Sequence, residues 1–82
     1  MQDIQRRILL QWEAQDRAKS YELELGNDPE FKKLMITKRL SGTSFNVDLT
    51  PGAYYYRIRA FDAVGRGGKW TPVQELNLNA RP

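Results

Sequence analysis

From Leu49 to Thr71 the chain reads LTPGAYYYRIRAFDAVGRGGKWT, and its middle alternates with period two from Tyr54 to Phe61. Tyr54, Tyr56, Ile58 and Ala60 fall on one face of such a segment. Tyr55, Arg57, Arg59 and Phe61 fall on the other. Successive side chains of a strand point to opposite sides, so alternation of this length predicts a half-buried strand of an antiparallel sheet and not a helix. Thr50-Pro51-Gly52 supplies a turn in front of it, and Gly65, Gly67 and Gly68 mark the connection behind.

The rest of the chain repeats this pattern in shorter pieces. Ile8, Leu10 and Trp12 share one strand face opposite Leu9, Gln11 and Glu13, and the polar run 14–19 follows as a loop. Tyr21, Leu23 and Leu25 alternate with Glu22 and Glu24, which gives the next strand an acidic outer side. Gly26-Asn27-Asp28-Pro29 is a turn signal that also suits an N-cap and N1 proline of one helical turn, with Phe31 folding back as an apolar plug. Residues 34–40 read as an edge strand whose Lys38 and Arg39 discourage edge-to-edge pairing. Phe45, Val47 and Leu49 point inward between Ser44, Asn46 and Asp48. Trp70-Thr71-Pro72 opens a last strand with Leu76 and Leu78 inward, and Val73 is out of phase, which predicts a bulge near Pro72. The total is six strands, or seven if residues 1–7 form a short edge strand. Turn signals recur about every 8–12 residues, the pattern of an all-β, immunoglobulin-like sandwich of two antiparallel sheets.

Composition bounds what such a domain can do. A chain of 82 residues is one domain near the low end of independent folding, able to bury roughly 60% of its unfolded surface. It has no cysteine and no histidine, so disulfides, thiolate metal sites and the commonest general base are excluded. Only carboxylates are left for hydrolysis, and so small a sandwich has little room for the pocket that a carboxylate pair needs. The net charge of +3 comes from thirteen Lys and Arg against ten Asp and Glu, spread along the chain, whereas a nucleic-acid reader clusters its basic residues on one element. No apolar run is long enough to insert into a membrane, and residues from Met1 onward form no signal-peptide core. We expect a domain cut from a longer protein: an extension or truncated first edge strand at 1–7, the sandwich at 8–79, and the start of a linker at 80–82.

Several of these residues together carry a resemblance. Trp12 stands late in the first core strand and Tyr21 opens the next; Leu-x-Pro-Gly-x-Tyr runs from Leu49 to Tyr54; YYRIRAFDAVG and Gly-x-Trp-Thr (Gly68 to Thr71) follow. Over about residues 8 to 79 the chain resembles a fibronectin type III domain of the kind repeated in bacterial surface and periplasmic proteins. The resemblance implies the topology of that family, a core of Trp12, Tyr21, Leu23, Phe45, Val47, Leu49, Tyr54, Tyr56, Ile58 and Ala60, and a non-catalytic role as spacer or protein-binding module. It also implies an extracytoplasmic location in the periplasm, at the cell surface or in the secreted fraction. Tyr54 is similar to the corner tyrosine whose hydroxyl returns to the backbone upstream. Tyr55 is the alternative, because a longer leucine-to-tyrosine spacing is common in the family. The chain departs from the pattern in its thin first strand, and in Arg66-Gly67-Gly68, where an integrin ligand would carry Arg-Gly-Asp.

Four features are weighed as sites. If the Tyr21 strand lies antiparallel to the central strand, Glu22 and Glu24 sit across from Arg57 and Arg59, a solvated, charge-paired face and not an anion-binding patch. On that basis Arg57→Glu is expected to lower stability modestly. Tyr55 and Phe61 point outward and Trp70 is half-buried, so these three, with Arg66 and Lys69, are the candidates for touching a partner protein or a sugar ring. The run GRGGK resembles a phosphate loop, but Ala63 and Trp70 stand where Gly and Ser or Thr are required, and it is read as a flexible hairpin connection. Asp28, Glu30 and Asp62 are too irregularly spaced for a calcium loop. No catalytic residue, metal or cofactor is expected. The expected partners are neighbouring domains of the same polypeptide or another protein, with polysaccharide as an alternative; the expected state is a monomer, with an edge-strand dimer as a further alternative.

Overall fold

The computed structural model describes residues 5–79. Among them are six strands and no helix: β1 (Arg6–Gln11), β2 (Ser20–Gly26), β3 (Leu34–Leu40), β4 (Ser44–Leu49), β5 (Gly52–Phe61) and β6 (Gln74–Leu78). β1 and β4 form a two-stranded sheet, and the other four are ordered β3-β2-β5-β6. Every pairing is antiparallel. Arg6 and Arg7, expected in an N-terminal extension, belong to β1, because their backbone pairs with Leu49 and Asp48. The start of that extension (1–4) and the expected linker (80–82) lie outside the described residues.

Period-two patterning places the core. Leu10, Val47 and Leu49 from the two-stranded sheet meet Tyr21, Leu23, Leu25, Tyr54 and Ile58 from the four-stranded sheet in one buried cluster. Trp12, Phe45, Tyr56, Ala60, Leu76 and Leu78 pack against it and are only partly buried. The long strand β5 lies between β2 and β6, so its inner residues Tyr54 and Ile58 reach the middle of the core. Tyr21, also buried, meets the Trp12 ring edge-on at 6.0 Å, and its hydroxyl accepts the Gln15 N–H at 2.8 Å.

The turn before β5 is tied to the strand it launches. Tyr54 is buried, and its hydroxyl donates to the Thr50 carbonyl at 2.7 Å. A phenol removed from water needs such a partner. Tyr54→Phe leaves that carbonyl short of a donor and is expected to cost about 1–2 kcal/mol, lowering the melting temperature by about 5–15 °C. An unchanged melting curve would show that water replaces the hydroxyl at no cost.

Two local expectations are corrected. The segment from Asp28 is a turn and not a helical turn. The Asp28 carbonyl accepts from Phe31 N–H at 3.2 Å and its Oδ1 from Lys32 N–H at 3.2 Å. Phe31 takes a left-handed backbone (φ 56°) and is buried. β6 opens at Gln74 and not at Trp70. Between the bridge Phe61↔Gly67 and the pair Tyr56↔Gln74 the chain advances five residues along β5 but seven along its partner. The two extra residues form the irregularity expected near Pro72, and Thr71 anchors it: its N–H donates to the Ile58 carbonyl at 2.8 Å and its Oγ1 accepts the Ile58 N–H at 3.0 Å.

Candidate functional site

The outer face of the four-stranded sheet carries the chain's most organised set of charged and aromatic groups. Register aligns Arg39, Glu22 and Arg59 in one cross-strand row and Thr37, Glu24 and Arg57 in the next. Arg57 Nη2 reaches Glu24 Oε1 at 2.8 Å, and Arg59 Nε reaches Glu22 Oε1 at 2.8 Å. These carboxylates hold the two guanidinium groups over the sheet, where rings from three separate segments meet them. The Arg57 guanidinium lies 4.5 Å from the Phe31 ring centre and 4.2 Å from that of Trp70. That of Arg59 lies 4.6 Å from Trp70 and 5.0 Å from Phe61, and that of Arg39 lies 3.7 Å from Phe61. The result is an unbroken series, Phe31, Arg57, Trp70, Arg59, Phe61, Arg39, in which rings and cations alternate. Each contact contributes on the order of 0.5–1 kcal/mol, and the planar guanidinium suits both the ring and the carboxylate at once.

The candidate partner-contacting residues therefore separate. Phe61, expected to point outward as part of an aromatic platform, is buried, 8% exposed. The strand period places it on the outer face correctly, but Arg39 and Arg59 lie over its ring and the backbone of Gly67 closes on its edge. A Cβ at Gly67 would stand 3.1 Å from the Phe61 ring, so a larger residue there would have to displace the ring by a few tenths of an ångström. Trp70 is half-buried, with two guanidinium groups over it. Tyr55 is half-buried and pairs across the strand with Glu75. Arg66 and Lys69 are exposed. Phe31 and Arg39 were not among the candidates. For Arg39 the alternation of β2 and β3 carried a signal, since a basic residue opposite Glu22 on a second side completes the row.

The connection expected to be flexible is a hydrogen-bonded turn. Asp62 Oδ1 accepts from Arg66 N–H at 2.9 Å and from Val64 N–H at 3.1 Å, and its Oδ2 accepts from Arg66 Nε at 3.0 Å. Gly65, at φ 85°, lets the chain reverse inside this ring. The Arg66 amide is the main influence on the Asp62 carboxyl and, against some desolvation, the hydrogen bonds hold it below its ordinary value of 3.8. A carboxyl depressed on folding stabilises the fold above its unfolded value, and that contribution is lost as pH falls through the folded value. The turn is thus expected to stay closed from neutral pH down to about pH 4 and to open only below it. A carboxyl-carbon NMR titration of Asp62 should have its midpoint under 3.8; a midpoint above that would refute this account of the turn.

Chemically, the face is self-contained. Two carboxylates offset two of its three arginines, and the Phe61 and Trp70 rings already hold cations. An open groove lined by Arg17, Lys19, Ala63, Val64 and Arg66 lies beside the Asp62 turn, but the Asp62 carboxylate shares it and already engages Arg66. Among the described residues no three acidic side chains converge to hold a metal ion. Compared with models of known protein families, with curated proteins and with solved structures, the chain matches none.

Proposed function

We propose that this chain is a non-catalytic β-sandwich module with fibronectin type III topology, serving as a spacer or protein-interaction domain of a larger bacterial extracytoplasmic protein. The observation that carries this reading is the closed arginine–aromatic series on the four-stranded sheet. Its groups are spent on one another, so the face works as a stiffener and not as a reactive or ligand-stacking surface. The strand order β1-β4 beside β3-β2-β5-β6 and the Tyr54 bond to Thr50 also support the resemblance. The alternative, a module that contacts polysaccharide or peptidoglycan through Tyr55, Phe61 and Trp70, has less support, because stacking on a sugar needs a free ring face and Phe61 has none exposed.

Tryptophan fluorescence separates the two. Titrating the domain with soluble peptidoglycan fragments and with cello- and chito-oligosaccharides should leave the emission unchanged up to millimolar concentration. A saturable change that Trp70→Leu abolishes would replace the spacer reading with the carbohydrate one.

A further inference from the structure

Two internal connections meet at one end of the molecule: the polar run 12–19 between β1 and β2, and the turn that follows β5. Both are pinned. The Gln15 N–H donates to the Tyr21 hydroxyl at 2.8 Å, the Ala18 N–H to the Gln15 carbonyl at 3.1 Å and the Lys19 N–H to the Phe61 carbonyl at 2.8 Å. Asp62 closes the other turn through the Val64 and Arg66 amides. Both ends of the described chain lie at the opposite end, since β1 starts against Leu49 and β6 finishes against Gly52. The open groove of about 390 Å³ between the connections is lined by residues of these two segments alone: Arg17, Lys19, Asp62, Ala63, Val64 and Arg66. Its charges do not balance. Three cations stand against one carboxylate, Asp62, which is already committed to Arg66 and to two amides. Among the described residues the side chains of Arg17 and Lys19 have no hydrogen bond or ion pair. Arg17 also holds a left-handed backbone at φ 66°, which glycine takes freely and other L residues rarely adopt. No contact of its guanidinium within the described chain offsets that strain, and strain of this kind concentrates at binding sites. Val64, 74% exposed, is the most exposed large apolar side chain among the described residues.

We infer that this groove binds an acidic segment of a partner protein, with an Asp or Glu carboxylate engaged by Arg17 and Lys19 and a neighbouring apolar side chain against Ala63 and Val64. This rests on the reading of the domain as a protein-interaction module and names the partner's chemistry. Charge complementarity sets the class of occupant: two uncommitted cations match a carboxylate, and connections already held by hydrogen bonds lose little freedom when it arrives. A polyanion fits less well, because Asp62 in the groove and Asp16 in the adjoining hollow repel its further charges. An anionic membrane fits less well too, since one exposed valine buries too little apolar surface to hold the domain there.

A display library of random ten-residue peptides, selected at low salt on the immobilised 82-residue chain, supplies the probes. Enriched peptides should share an Asp or Glu beside an apolar residue. In an NMR titration they should shift the amides of Arg17, Lys19, Val64 and Arg66 and leave the Trp70 indole unmoved. Replacing that acid by its amide should weaken binding about fivefold, as should salt at about 0.5 M. Arg17→Gly removes the guanidinium and relieves the left-handed backbone, so it should melt no lower than the parent and yet bind about fivefold more weakly. Lys19→Gln, which leaves the backbone alone, should match that loss. Failure to enrich any peptide, enrichment of peptides without an acid, shifts confined to other surfaces, unchanged binding by both variants, or equal binding of inorganic phosphate or of phosphatidylglycerol vesicles would each overturn the inference. Those results leave the spacer reading standing, whereas a saturable fluorescence change that Trp70→Leu abolishes removes that reading through a ring outside this groove.

Discussion

Leu23→Ala will lower stability by about 3–5 kcal/mol and the melting temperature by about 15–30 °C, leaving little folded protein in a domain whose total stability is of order 5 kcal/mol. Leu23 is 0% exposed and lies in the middle strand pair of the four-stranded sheet, with Ile58 opposite it on β5 and Lys38 opposite it on β3. Its inner neighbours are held by both sheets, so little can collapse into the space that the leucine leaves. Urea unfolding followed by circular dichroism measures the loss. A change below about 1 kcal/mol would mean that the two sheets do not share the core described above.

Arg57→Glu is expected to cost about 2–4 kcal/mol, more than the modest effect that cross-strand pairing by itself suggests. The guanidinium donates twice to Glu24 Oε1, from Nε at 3.0 Å and Nη2 at 2.8 Å, and contacts the Phe31 and Trp70 rings besides. The substitution removes all of these and sets a second carboxylate beside Glu24, whose side chain is only 14% exposed. Two comparisons isolate the causes. Arg57→Lys keeps the charge but loses the planar stack, and should cost about 1 kcal/mol. Combining Arg57→Glu with Glu24→Arg should restore part of the loss through the reversed pair. Thermal melts of the three variants that fall together near the parent would show that the alternating series contributes nothing.

The two predictions draw on information of different kinds. The position of Leu23 was legible from alternation with Glu22 and Glu24 and needs no other segment. The same holds for the inner face of β5, whereas the pairing of Glu22 and Glu24 with Arg59 and Arg57 was legible only on the condition that β2 and β5 are antiparallel neighbours. The arginine–aromatic series was only partly legible. Arg57, Arg59, Phe61 and Trp70 were each noticed, yet their order depends on Phe31 arriving from the turn before β3 and Arg39 from β3 itself. The extent of β6 was not legible either, because Thr71 bonds to Ile58 on β5 outside regular register.

By itself the sequence determined which face of each alternating strand turns inward, β3 excepted, because side-chain direction along a strand is set residue by residue by the pleat. Only the tertiary structure decided what lies over the other face. Period two put Phe61 on the outside, and Arg39, Arg59 and Gly67, brought from elsewhere in the chain, buried it there. It likewise decided that, among the described residues, β1 pairs with β4, since strand pairing is a contact between distant segments that no local pattern records.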